Sequence, residues 1–327
     1  MRRRLAIGGG LALLIAVVCV AGAALWGYWR FDAPGPATVE TTVLVPQGAG
    51  VAQIGRQLAE AGVVEDPRLF TLGVRLLGDR PLRAGEYRIP AGASAREIME
   101  MMAAGRTVVR RLTVPEGLTT AEIIRLVAEA DGLQGDLPPE VEWPAEGTLL
   151  PETYFYSWGD DRRALLDRMA RAMEETLAEL WPERSPGLPL ETPHEAVILA
   201  SIVEKETGLP EERPRVARVF INRLNRGMPL QSDPTVIYSL TAGRQAMGRA
   251  LTRNDLAIDH PYNTYTVRGL PPGPIANPGR ASIEAVLNPI ESDELYFVAD
   301  GNGGHLFART LKEHNRNVAR WRALQRR

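Results

Sequence analysis

Two glutamates one residue apart, Glu204 and Glu206, close the apolar run Ala196-Val197-Ile198-Leu199-Ala200-Ser201-Ile202-Val203 and are the carboxyls best placed for acid–base chemistry. The run reads as a helix. Thr192 can cap it, Pro193 suits the first helical position, Glu195 completes a capping box, and Gly208 stops it. At about 100° per residue, Ile198, Leu199, Ile202 and Val203 form one stripe; Glu206 falls inside it and Glu204 lies about 200° away. Two carboxyls on opposite sides of a helix cannot flank one bond, so each needs its own explanation. A carboxyl facing an apolar interior loses water, which disfavours its charge and lets it hold a proton near neutral pH, as a general acid must. The competing explanation for Glu206 is a helix-end side chain that reaches solvent or pairs with an arginine. Negative charge at a helix C-terminus opposes the helix dipole, however, so stability alone would not select it.

Other polar side chains of suitable type lie nearby in the chain. Arg213 to Arg226 predicts a second helix, with Val216, Val219, Phe220 and Leu224 apolar and Gly227 as its stop; residues 228–238 then read as a rigid, proline-bearing turn leading into a β-like run. Asn222, Gln231, Asp233 and Tyr238 here, Tyr262 and Asn263 in a later proline-rich stretch, and Glu152 and Tyr154 in residues 146–156 have the hydrogen-bonding and stacking character of sugar-binding side chains. The alternative is that the loop polar groups satisfy backbone and the tyrosines serve the core. The histidines His194, His260, His305 and His314 show no zinc-binding spacing, and one cysteine, Cys19, excludes an internal disulfide and any cysteine-based metal cluster; no metal or cofactor is expected.

The elements that must position these groups are legible in outline. A chain of 327 residues with 45% hydrophobic and 24% charged residues has room for two domains with cores, and a net charge of −2 gives no electrostatic case for nucleic acid. Arg2-Arg3-Arg4 precede an uncharged run from Leu5 to Trp29 that ends in Trp26, Tyr28 and Trp29. That pattern predicts a single membrane-spanning helix with interfacial aromatics, a cytoplasmic N-terminus and the rest of the chain outside the plasma membrane. A cleaved signal peptide, with Ala21-Gly22-Ala23 as cleavage site, is the alternative. Beyond a spacer at 31–39, three units repeat a strand end, a Pro-x-Gly turn and a helix with apolar residues four apart: Val45-Pro46-Gln47-Gly48 to Leu58, Ile89-Pro90-Ala91-Gly92 to Met102, and Val114-Pro115-Glu116-Gly117 to Val127. Such units resemble LysM-like glycan-holding modules, with a plain spacer domain as the alternative. The Gly-, Pro- and acid-rich stretch from Asp131 to Trp143 marks a boundary, giving an anchor at 1–30, a LysM-like β/α domain at 40–130 and a larger α+β domain at 131–327.

The runs Ala-Ser-Ile-Val-Glu-Lys-Glu-Thr (200–207), Val-Phe-Ile-Asn-Arg-Leu (219–224), Leu-Gln-Ser-Asp-Pro-Thr-Val-Ile-Tyr (230–238), Tyr-Asn-Thr-Tyr (262–265), Gly-Leu-Pro-Pro-Gly-Pro-Ile-Ala-Asn-Pro-Gly (269–279) and Tyr-Phe-Val-Ala-Asp-Gly (296–301) together resemble the MltG (YceG-like) endolytic murein transglycosylases over nearly the whole chain. Two departures are visible: Glu152 where the family often has Asp, and Ser239 where Gly often follows the tyrosine. The order of elements is also similar, more loosely, to goose-type lysozymes and soluble lytic transglycosylases. The resemblance implies an α+β fold with a lysozyme-like active-site helix and Glu206 as the catalytic acid and base. It also implies peptidoglycan glycan strands as substrate, the MurNAc–GlcNAc bond as the one cut, 1,6-anhydro ends as product, and cell-wall synthases (penicillin-binding proteins) as partners. A glycan-holding scaffold without activity, and a two-carboxylate hydrolase using Glu152 or Asp233 beside Glu206, are the rival readings.

Overall fold

A computed structural model describes residues 2–324, with side chains from residue 13 onward, so the side chains of Arg2 to Arg4 lie outside the described residues. The fold is α+β and divides into two compact units, residues 1–110 with 156–160, and residues 111–155 with 161–327.

The first unit opens with α1 (Arg2–Asp32), whose stretch Leu13–Asp32 is long and apolar enough to cross a membrane. There follow β1 (Thr41–Val45), α2 (Val51–Glu60), α3 (Pro67–Leu77), β2 (Gly85–Ile89) and α4 (Ala95–Ala104). β1 and β2 pair antiparallel, from Thr41 opposite Ile89 to Val45 opposite Gly85. Their alternation sends Val43, Val45, Tyr87 and Ile89 to one buried face, where they meet Ile54, Leu58, Phe70, Ile98 and Met102 from the helices. Asp66 caps α3 by accepting from the amides of Arg68 (2.7 Å) and Leu69 (3.3 Å), and Ser94 with Glu97 forms a full capping box on α4.

The second unit takes in β3 (Val109–Thr113) from its third residue, then α5 (Thr120–Glu129) and β4 (Thr153–Ser157), which pairs with β3. The third strand–turn–helix repeat therefore belongs to this unit and not to the one that holds the first two. The chain continues through α6 (Arg162–Leu180), α7 (Pro193–Glu206), α8 (Arg213–Asn225), α9 (Asp233–Thr241), the short α10 (Arg253–Leu256), α11 (Arg280–Leu287), the antiparallel hairpin of β5 (Tyr296–Ala299) and β6 (His305–Ala308), and α12 (Leu311–Leu324). α7 lies at the centre, packed by α8 and α11, with Leu199, Ile202 and Val203 against Val216, Phe220, Ile283 and Val286. Its N-terminus is the capping box read from the sequence: the Thr192 hydroxyl accepts from the Glu195 amide at 3.2 Å and the Glu195 carboxylate accepts from Thr192 N–H.

Two local expectations are corrected. α7 is not amphipathic, because every residue from Ala196 to Val203 is buried, so an apolar stripe does not by itself distinguish the side of Glu206. The expected β-like run after Pro234 is α9: Ser232 occupies the N-cap position with Pro234 in the first turn, and this start signal outweighs the β preference of Val236, Ile237 and Tyr238.

Candidate active site

Glu206 is the last residue of α7, at the point where the helix emerges from its packing. It lines a cavity of about 500 Å³ with Arg223, Gln231, Asp233, Tyr265 and His305, and with the rings of Phe297, His314 and Trp321. Its Oε1 accepts a 2.5 Å hydrogen bond from the Ser232 hydroxyl, and its other oxygen has no hydrogen bond among the described residues. Burial is the largest influence on this carboxyl and pushes it up from 4.5 to about 7; the Ser232 hydrogen bond, His305 and Arg223 pull it down, and the Asp233 charge adds to the rise. It is thus a carboxyl divided between acid and base forms near neutrality, held through one oxygen by Ser232 on the wall of a cavity.

Ser232 can serve Glu206 because the backbone around it is fixed by another loop. The Gln231 amide donates to the Thr264 carbonyl (3.0 Å), the Ser232 amide donates to Thr264 Oγ1 (3.0 Å), and the Thr264 and Thr235 hydroxyls share a 2.8 Å bond. Ser232 is almost wholly buried. As the N-cap residue of α9 its hydroxyl would ordinarily bond the helix's own amides; here it donates to Glu206 instead. Gln231 beside it has φ 53°, a left-handed conformation that costs a non-glycine residue of order 1–3 kcal/mol. The strain sits one residue from the group that holds Glu206.

The remaining cavity groups are held from behind. Glu212 accepts from the His305 ring at Nδ1 (2.7 Å), from the His305 amide (2.8 Å), and from the hydroxyl of Thr207 (3.3 Å), the residue following Glu206. With Nδ1 so engaged, Nε2 is the nitrogen left for the cavity. Arg223, 7% exposed, spends Nε on the Leu295 carbonyl (2.7 Å) and Nη1 on the Leu230 carbonyl (2.7 Å), and burial lowers its proton affinity. The Tyr265 hydroxyl donates to Asp233 Oδ1 at 2.6 Å.

Of the residues singled out in the sequence, the structure gathers Glu206, Gln231 and Asp233 around this cavity. The others stand elsewhere. Asn222 donates its amide to the carbonyls of Ser292 (2.8 Å) and Glu294 (2.9 Å), tying α8 to the approach of β5. Asn263 is fully buried and donates to the Leu256 and Ile258 carbonyls, bracing its own loop. Tyr238 and Tyr262 pack ring on ring at 4.9 Å, and the Tyr238 hydroxyl donates to Glu146 at 3.4 Å. Tyr154 is a core side chain whose hydroxyl donates to the Leu150 carbonyl (2.7 Å), and Glu152 is exposed, its side chain accepting from the Thr153 amide (2.8 Å). Glu204 faces its own partners, accepting from Arg213 Nη2 (3.2 Å) and from the Gly279 amide (3.0 Å), which pins the end of the 269–279 loop.

Ser232, Arg223, Tyr265 and His305 were within quoted motifs or in the histidine inventory but were not singled out. The available signals were the Asp233-Pro234 helix start, which makes Ser232 a cap, and the turn Asp300 to Gly304 between aromatic strands, which makes His305 a strand start.

The YceG-like family matches residues 43–320. A protein of Bacillus subtilis named endolytic murein transglycosylase is 33% identical over 91% of this chain and 89% of its own length. One of the same name from Streptococcus pneumoniae serotype 2 is 32% identical over 85% of this chain, and the chain spans 58% of that relative's length. The 2.6 Å crystal structure of a YceG-like protein from Listeria monocytogenes superposes with a TM-score of 0.52 at 31% identity, covering 86% of this chain and 99% of the other.

Proposed function

The chain belongs to the YceG-like family, and from that premise we propose that it is an endolytic murein transglycosylase that cuts the β-1,4 bond between MurNAc and GlcNAc inside glycan strands. The observation that carries this reading is Glu206, a carboxyl lining a cavity of about 500 Å³, poised near 7 and held through one oxygen by Ser232. Glu206 gives its proton to the leaving GlcNAc oxygen as the C1–O bond breaks, and the substrate's own acetamido oxygen closes on C1 to carry the positive charge. The Glu206 carboxylate then takes the proton of the MurNAc C6 hydroxyl as that oxygen attacks C1 and releases the acetamido group. Proton and electron pairs balance, Glu206 returns to its acid form, and no water is consumed. A second carboxylate is unnecessary. The Ser232 hydroxyl and the Arg223 guanidinium stabilise the carboxylate that exists between the two proton transfers.

Asp233 lies in the same cavity, which gives the two-carboxylate hydrolase a specific observation in its favour. The Tyr265 hydroxyl already occupies one of its oxygens. α1 is read as an uncleaved anchor with its N-terminus in the cytoplasm and everything after Tyr28 outside. An anchored enzyme reaches strands where they are made, beside the synthases, and cutting there ends strand growth. The first two strand–turn–helix repeats form a LysM-like glycan holder in this reading, and Glu206 stands on a lysozyme-like active-site helix.

Purified full-length protein, its Glu206→Gln variant and its Glu204→Gln variant, incubated with wall sacculi, test the assignment. Release of anhydro-ended fragments by wild type and Glu204→Gln but not by Glu206→Gln is expected. Equal release by Glu206→Gln would remove Glu206 from the mechanism, and Asp233→Asn then becomes the decisive variant.

A further inference from the structure

Among the described residues, α3 carries two apolar surfaces and only one of them is used by the fold. Phe70, Gly73 and Val74 turn inward, and Gly73 is a glycine because a Cβ there would collide with the Phe31 ring of α1. On the outside, Leu72, Leu76 and Leu77 are 53%, 72% and 40% exposed. Leu69, Leu72 and Leu76 follow at positions i, i+3 and i+7 and so share one edge of the helix. That edge continues onto α1 across an apolar groove of about 320 Å³, walled by Ala23, Ala24 and Gly27 on one side and Leu72, Leu76 and Leu77 on the other. Leaving it in water forfeits about 25 cal/mol for every Å² of apolar surface.

The depth of this edge along α1 says what covers it. A hydrocarbon core takes about 20 helical residues at 1.5 Å each, so a span beginning at Leu5, after the arginines, ends near Ala24. Trp26, Tyr28 and Trp29, all more than half exposed, then fall in the headgroup layer, where amphipathic aromatic rings partition. α3 starts beside the end of α1, where Arg30 pairs with Glu65, and runs back along it: Leu69 is next to Gly27, and Leu76 and Leu77 flank the groove at Ala23 and Ala24. Its last turn therefore reaches the level at which α1 leaves the hydrocarbon. Arg68, Arg75 and Arg80 are exposed on or just after the same helix and can extend to lipid phosphates, while Asp79 at the tip pairs with Arg80 (3.7 Å).

We propose that α3 is a membrane-seated helix, lying in the outer headgroup layer with its Leu69–Leu72–Leu76 edge and the α1 groove in contact with lipid acyl chains. This rests on the reading of α1 as an uncleaved anchor. Its consequence is that the first unit is not a tethered bead on a flexible stalk; it is held against the bilayer by two helices, which fixes its height above the membrane.

The test uses the full-length protein with Cys19→Ser in nanodiscs of anionic and zwitterionic phospholipid, carrying one nitroxide label at a time on Leu76→Cys, Gln53→Cys or Val18→Cys. Gln53 is exposed on α2, and Val18 lies mid-span on α1. Collisions with oxygen, which concentrates in lipid, are compared with collisions with a water-soluble nickel chelate. The Leu76 label is expected to show an oxygen-to-nickel ratio several-fold above that at Gln53 and approaching that at Val18. A Leu76 label as open to nickel as Gln53, with Val18 protected, overturns the lipid contact and leaves the anchor standing. Protection of Leu76 from both reagents overturns it in favour of a protein partner on this edge. Nickel access at Val18 itself shows that α1 does not span the bilayer, and the inference falls with the anchor.

Discussion

Replacing Glu206 by Gln should abolish catalysis and at the same time stabilise the protein above neutral pH. In the folded chain the carboxyl holds its proton up to about 7, against 4.5 ordinarily. Between those values the folded state keeps a proton that the unfolded chain has released. Stability is therefore fully present below about pH 4.5 and declines as pH rises through 7. At about 1.4 kcal/mol per tenfold change in proton affinity, the gap amounts to about 3 kcal/mol, an upper value because Glu206 lines an open cavity. Glutamine has no such ionisation, and its oxygen can still accept the Ser232 hydroxyl. For a unit of this size, about 3 kcal/mol corresponds to roughly 6–12 °C in melting temperature. The assay is thermal unfolding of full-length wild type and variant in detergent at pH 4.5 and pH 8.5, read as variant minus wild type so that other titrations cancel. Near-zero difference at the lower pH and a clear gain at the higher pH are expected, with glycan cleavage down by at least about 10²–10⁴-fold. A melting difference that is the same at both pH values would refute the reasoning that burial sets the Glu206 proton affinity.

Because the first step needs the protonated carboxyl, kcat/KM of the wild type should fall as pH rises, with a midpoint near 7. Ser232→Ala removes a hydrogen bond to the charged form and should move that midpoint upward, whereas Asp233→Asn removes a like charge and should move it down; both are read from pH–rate profiles. His305→Gln should also shift it upward, because His305 is among the groups that pull the Glu206 proton affinity down, and an unmoved profile would restrict His305 to a structural role. Asn277→Ala should cost about 2–4 kcal/mol in denaturant melts with little change in the pH profile, since its buried amide holds Glu146 (3.0 Å), the Leu118 carbonyl (3.1 Å) and the Leu149 amide (2.9 Å) together.

The sequence was most informative where local chemistry decides structure. Thr192, Pro193 and Glu195 start α7 because a hydroxyl acceptor, a missing N–H and a reaching carboxylate each satisfy a specific helix-end requirement, and these depend on neighbours only. Gly227 stops α8 for a similar reason, at φ 62°. The polar side chains of irregular loops were less legible. Asn222 and Asn263 have the composition of sugar binders, but the Asn222 amide is spent on carbonyls some seventy residues on and the Asn263 amide on carbonyls of its own loop. Ser232 presents the opposite case, an unremarkable residue whose amide is fixed by Thr264, which lies some thirty positions away in sequence and is itself bonded to Thr235. The helix that carries Glu206 and its place in the last turn could be read in advance because both follow from one contiguous segment; its loss of water could not be read from the apolar stripe, since every residue from Ala196 to Val203 is buried. The histidine beside it could not, because nothing near His305 in sequence points to Glu212.

The central claim, that Glu206 acts alone as acid and base on a bond whose acceptor is the sugar's own C6 hydroxyl, is tested most directly by cutting sacculi in heavy-oxygen water and weighing the products. The account predicts fragments one water lighter than reducing ends, carrying no heavy oxygen, and absent with Glu206→Gln. Reducing ends that incorporate heavy oxygen would contradict it and identify a hydrolase, with water activated by a second group such as Asp233.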